Sequence, residues 1–182
     1  HALERLFGLL VEIQGKHVRS ITRTGNLEKP DPYKIYPFAT PPAHLRLRNL
    51  KSAVFYRAYE EAYAIEYLRV TAPFKAAGVQ IIDGANDPEL ADQADAVIFQ
   101  REFPKSLPLY DQIISKAHSA GKFVLYEIDD LLFDLPESHP ERTQELYNAA
   151  LMPMMAALID ADLVLVPTRE LSRLVEGYNP NV

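Results

Sequence analysis

The chain is expected to fold as an α/β protein built on a doubly wound parallel sheet of about five strands. Three observations predict this. Apolar, β-branched and aromatic runs of strand length recur from residue 51 onward, too continuous for strands with one face in water. Segments of helical periodicity alternate with them. Glycine also stands between helix and strand in both A-A-G-V-Q-I-I and S-A-G-K-F-V-L-Y, where a helix C-terminus needs a left-handed residue.

At 182 residues the chain can hold one domain with a full core, and is too short for two large ones. Its formal net charge of −6 argues against a general nucleic-acid binder, because neutralising phosphates needs a basic face. There are no cysteines, so neither a disulfide framework nor a thiolate metal site is available. No apolar stretch approaches the ~20 residues of a membrane-spanning helix. No basic flank leads into an apolar core at the N-terminus, so no signal peptide is read there and a cytoplasmic location is expected.

Two regions are expected, 1–50 and 51–182. Leu3, Leu6, Phe7, Leu10 and Ile13 recur at helical spacing, predicting an amphipathic helix over the first sixteen or so residues. Pro30, Pro32, Pro37, Pro41 and Pro42 then crowd together, and proline's missing donor makes 17–50 an extended connector. From residue 51 the rhythm begins: a strand at 53–56 (A-V-F-Y), a helix over about 62–77, a strand at 79–82 after Gly78, and a strand at 96–99 (A-V-I-F). A helix over 108–120 carries Leu109, Ile113, Ala117 and Ala120 on one stripe and stops at Gly121. The fourth strand is 123–128 and the fifth 163–166 (L-V-L-V), leading into a helix over 168–176. Residues 141–159 are helical in pattern, but Pro153 inside would cost about 3 kcal/mol, so a kink or two short helices are expected. A-D-A-V-I-F and A-D-L-V-L-V are internal echoes, each starting a strand straight after Ala-Asp.

Ligands of open α/β sheets collect beyond the carboxyl ends of the strands, so residues there are the candidate site. The fourth strand, in F-V-L-Y-E-I-D-D-L-L-F, stops on Asp129 and Asp130. These carboxylates suit ligand contact, metal binding or acid–base work; the plainer reading is one capping the next segment while the other is solvated. Glu127, inside the strand, needs a partner if buried, and a structural salt bridge is expected. Arg101 and Glu102 end the third strand, where the arginine suits a phosphate or carboxylate, or the two form a surface ion pair. Tyr56 and Arg57 end the first strand, and the loop after them, with Tyr59, Glu60 and Glu61, lacks the glycines of a dinucleotide fingerprint. Arg69 is expected in the first helix, either facing the cleft or solvated. Thr168 reads as a helix cap, and His118 and His139 carry no assigned chemistry. No metal ligand set is read in the sequence, and no Ser–His–Asp spacing or phosphate-loop lysine appears.

With these residues in view, the chain from about Ser52 onward resembles the N-terminal half of GT-B glycosyltransferases, and more narrowly the group-1 family of retaining, sugar-nucleotide-dependent enzymes. The resemblance rests on Y-L-R-V-T-A-P-F-K-A-A-G, A-D-A-V-I-F-Q-R, V-L-Y-E-I-D-D-L-L-F-D-L-P and A-D-L-V-L-V-P-T-R-E-L-S-R-L-V-E. It implies a Rossmann-like domain that binds the acceptor, a glycan or lipid-linked molecule, facing a second domain that holds most of the nucleotide-sugar co-substrate. No further cofactor is implied, and peripheral membrane association of the parent is compatible with it. The chain stops at G-Y-N-P-N-V, about where the family passes into its second domain, so half an enzyme, inactive alone, is expected. The resemblance implies that Asp129 or Asp130 positions or polarises the acceptor hydroxyl and that Arg69 matches a family arginine, with Arg101, Glu102, Tyr56 and Arg57 as further substrate-binding candidates. The glycine-free loop departs from the family pattern. A GT-A enzyme would use an Asp-x-Asp strand end for a divalent metal, which E-I-D-D imitates, but three βα strands precede it here. A receiver-like module would need its acids on the first strand. A non-catalytic glycan-binding or assembly domain is the remaining alternative.

Overall fold

The computed structural model describes residues 47, 49–57 and 64–182. The helix expected over the first sixteen residues, most of the proline-rich connector and the loop with Tyr59, Glu60 and Glu61 lie outside the described residues. Leu47 and Leu50, at the connector's end, are buried in the core.

Five strands form one parallel sheet: β1 (Ser52–Tyr56), β2 (Gln80–Asp83), β3 (Ala96–Gln100), β4 (Phe123–Glu127) and β5 (Leu163–Leu165), in the order β2-β1-β3-β4-β5. The chain steps outward from β1 to β2, then returns across β1 to β3 and runs the other way. The reversal between β1 and β3 opens a crevice at the carboxyl ends of those strands, where such sheets bind ligands. Every residue of β3 and β4 is buried, as the uninterrupted apolar runs require.

Each face of the sheet has its own core. Ala53, Phe55, Ala96, Ile98, Phe123 and Leu125 pack under a helix, α1 (64–76), with its Val70 and Phe74. Helix α1 spans 64–76 in three segments: Ala64–Glu66, a π-helical stretch Tyr67–Thr71, and Ala72–Ala76. The wide turn has a cause in the sequence. Pro73 cannot donate to the Arg69 carbonyl and its ring would clash with it, and the chain answers with an i→i−5 bond from the Ala72 N–H to the Tyr67 carbonyl. On the opposite face Val54, Tyr56, Val97, Phe99, Val124 and Tyr126 meet α2 (Leu107–Ser119), α3 (Glu145–Asp160) and α4 (Arg169–Val175). Thr168 accepts from the Leu171 N–H at 3.1 Å, capping α4 as read from the sequence.

The crossover from β2 to β3 is a 3-10 turn, Pro88–Asp92, its Asp87 cap accepting from Glu89 N at 2.9 Å. One expectation is corrected: two short helices do not meet at Pro153, and helix α3 runs unbroken through it. The break falls earlier, at Gln144, whose extended backbone separates α3 from the 3-10 turn Pro140–Thr143. Pro153, Met154, Ala157 and Leu158 are buried, and their packing offsets the hydrogen bond that proline removes.

The Ala-Asp echoes have one physical meaning. Asp95 Oδ2 accepts the backbone N–H groups of Lys51 (2.8 Å) and Ser52 (3.0 Å) at the start of β1, and Asp162 Oδ2 accepts Val124 N (2.9 Å) at the start of β4. Each aspartate ties its own strand to the neighbour's first residues. The open edge of β5 is covered in part by the C-terminal segment, where Asn181 O accepts from Val164 N at 2.8 Å. Among the described residues no helix is long and apolar enough to cross a membrane.

Candidate functional site

The crevice is built from strand ends, and side-chain alternation decides what faces α1. Arg57, Gln100 and Glu127 each stand two residues beyond a core residue of the α1 face, namely Phe55, Ile98 and Leu125. All three are polar, and α1 lays Glu66 and Arg69 over them. Arg69, in the π-helical stretch, donates through Nε to Glu127 Oε1. Arg57 donates to Glu66 Oε1 at 3.2 Å and to Asp83 Oδ2 at the end of β2. The salt bridge expected of Glu127 is thus present, with Arg69 as its partner.

Burial shapes the electrostatics. Glu127 is 1% exposed, and removal from water pushes its pKa above the ordinary carboxylate value. The Arg69 guanidinium pulls it back, Asp129 nearby adds to the rise, and the Gln100 amide favours the charged form. Glu127 Oε2 and Gln100 Nε2 are both fully buried, on residues paired across β4 and β3.

Arg101 follows β3 with φ of +52°, the left-handed region that a non-glycine residue enters at a cost of about 1–3 kcal/mol. Two bonds hold it there: its N–H donates to Glu127 O at 2.8 Å, and its carbonyl accepts from the Tyr126 hydroxyl at 2.9 Å. The turn carries the side chain to Asp129, where Nη1 meets Oδ1 at 2.6 Å, and to Glu102, where Nε meets Oε2 at 3.3 Å. Asp129 is half-buried and held. Asp130 is exposed, its Oδ1 accepting from the N–H of the next residue, Leu131, at 3.0 Å.

The structure therefore brings together Arg57, Arg69, Arg101, Glu102 and Asp129, with Asp130 at the rim. Tyr56 stands apart. It points into the opposite core between Phe99 and Phe103, its hydroxyl donating to Asp87 O at 2.8 Å, so it is not placed to touch a ligand in the crevice. Its ring lies so near Gly84 that a Cβ there would sit 2.6 Å from it. Gln100, Glu66 and Asp83 were not among the sequence candidates. Only Gln100 leaves a sequence trace, a polar residue ending an otherwise apolar strand, A-V-I-F-Q. His139 accepts from Glu141 N at 3.3 Å, capping a 3-10 turn.

Among the described residues each of the three arginines at the strand ends has a carboxylate partner, and carboxylates there outnumber arginines. The crevice offers matched, polar, near-neutral to acidic chemistry rather than unmatched positive charge for a phosphate. Among the described residues no group of three or more Asp, Glu or His side chains is set to hold a metal ion. Comparison of the chain with protein-family models, with curated proteins and with solved structures finds no match.

Proposed function

We propose that this chain is the acceptor-binding half of a glycosyltransferase, which moves a sugar from a nucleotide-sugar to a neutral, hydroxyl-rich glycan or lipid-linked acceptor, with retention. The observation that carries the reading is the pairing of Arg57, Arg69 and Arg101 with carboxylates at the strand ends. A crevice whose cations are already matched suits hydroxyl groups, and leaves the donor diphosphate to a second domain. The parallel sheet, the strand reversal between β1 and β3 and the motifs that resemble the GT-B family support it. Asp129, held by Arg101, takes the part of orienting the acceptor hydroxyl, and Asp130 stands beside it. In the reaction the bond from the sugar's anomeric carbon to the diphosphate breaks, a bond to the acceptor oxygen forms on the same face, and the hydroxyl proton leaves with the diphosphate.

The test is sugar transfer by the protein carrying its donor domain, with panels of sugar nucleotides and neutral glycans. Asp129→Asn is expected to lower kcat about 10²-fold or more with folding intact, while this chain alone folds and transfers nothing. Wild-type transfer by both Asp129→Asn and Asp130→Asn overturns the catalytic role and favours a glycan-binding domain. Transfer by the isolated chain overturns the division of labour.

A further inference from the structure

Arg101 stands where a chain ordinarily places glycine. Its φ of +52° lies in the left-handed region, which residues with a side chain avoid and glycine enters freely. A strained arginine at such a turn points to a use for its side chain. Gln100 lies on the α1 side of the sheet, so an Arg101 that continued the strand would point to the opposite core, that of Tyr126 and Ile128. The turn sends the guanidinium to Asp129 instead, Nη1 meeting Oδ1 at 2.6 Å.

The residue that holds the turn lies in the core. Tyr126 is fully buried, and its ring packs among apolar residues under α2 and α3, as a phenylalanine ring could. What phenylalanine could not supply is the hydroxyl, which donates to the Arg101 carbonyl at 2.9 Å. The Arg101 N–H is fastened to the same strand, donating to the Glu127 carbonyl at 2.8 Å. A buried hydrogen bond is comparable in size to the strain of one left-handed residue, so its loss is enough to release the turn. Burial first, then the charges of Glu127, Glu102 and Asp129, push the Tyr126 pKa well above its ordinary value, against the pull of Arg101. The hydroxyl therefore keeps its proton and remains a donor.

We propose that Tyr126 is a positioning residue of the site: its hydroxyl holds the left-handed turn that lays the Arg101 guanidinium on Asp129. It touches no substrate and acts through those two residues. The proposal rests on the reading in which Asp129 orients the acceptor hydroxyl.

Tyr126→Phe keeps the ring and removes the donor. In the isotopically labelled chain the backbone coupling constant of Arg101 reports its φ, and the Arg101 Nε–H and Asp129 amide signals report the pair. The variant is expected to return φ at Arg101 to negative values and to move both signals. In the protein carrying its donor domain, Tyr126→Phe is expected to lower kcat about tenfold with KM for the sugar nucleotide unchanged. Once Asp129→Asn is present, it is expected to cost nothing further. Equal losses in the two backgrounds, or Arg101 and Asp129 signals that stay in place, overturn the proposal. If Asp129→Asn lowers kcat and Tyr126→Phe does not, the proposal alone falls; if Asp129→Asn leaves kcat unchanged, the role of Asp129 falls and the proposal with it. Should Tyr126→Phe not fold, a negative φ at Arg101 in the unsubstituted chain overturns the proposal, as does full kcat in Arg101→Gly, which takes the turn freely and lacks the guanidinium.

Discussion

Removing the Arg69 guanidinium, as in Arg69→Leu, strands the Glu127 carboxylate in a site that is 1% exposed. The folded variant has two options: keep the charge without its partner, or protonate it. Protonation sets the ceiling on the charge-related loss. Neutralising a carboxylate of ordinary pKa 4.5 costs about 3.4 kcal/mol at about pH 7 and about 0.7 at about pH 5. Glu127 is already raised in the native chain, so part of this is present before the substitution, and the expected loss at neutral pH is about 2–3 kcal/mol. The sign follows from linkage. A raised folded pKa means that Glu127's contribution is most favourable below 4.5 and is lost as pH rises through the raised value; without Arg69 that value climbs further. The penalty of Arg69→Leu therefore grows from acid to neutral pH. Denaturant unfolding of the native chain and the variant at the two pH values measures it, and adding Glu127→Gln should recover most of the loss. A loss under about 1 kcal/mol at neutral pH, or one equal at both pH values, would refute the buried pair.

Two further outcomes follow from the same structure. Asp95→Ala removes the acceptor of the Lys51 and Ser52 N–H groups and is expected to cost about 1–2 kcal/mol at neutral pH. Those hydrogen bonds, Lys51's first, hold the Asp95 pKa below its ordinary value. The contribution is therefore present above the unfolded pKa and fades as pH falls through the lowered one, so the variant and the native chain converge in acid when unfolded in denaturant. Gly84→Ala places a methyl 2.6 Å from the Tyr56 ring, which Phe99, Phe103 and the bond to Asp87 O hold in place. Overpacking of this kind costs about 1–3 kcal/mol, read as a drop in denaturant midpoint at unchanged slope; no drop means that the ring has room to move.

Much of the sheet was legible in the chain. Runs such as A-V-I-F and F-V-L-Y have no polar positions because both their faces are covered, so periodicity and length suffice to find them. Helix boundaries followed from Gly121 and Thr168, which act through local backbone geometry. Pro153 misled because the cost of proline in a helix is local, whereas the burial that offsets it comes from packing on other elements. Tyr56 misled for a related reason: the end of a strand is a place in sequence, but the side on which the ring falls is set by the pleat and by which helix covers that side.

By itself, then, the sequence determined that this chain is an α/β protein, where its strands lie, and that acidic and basic residues gather at their carboxyl ends, since periodicity and capping are properties of neighbouring residues. Tertiary structure decided the strand order, with its reversal between β1 and β3, and which charges meet. Arg69 and Glu127 are 58 residues apart, as Arg101 and Asp129 are 28, and no local rule reaches that far. Gln100 and Glu127 are neighbours only because β3 and β4 lie side by side in that register, with Arg69 of helix α1 laid over them.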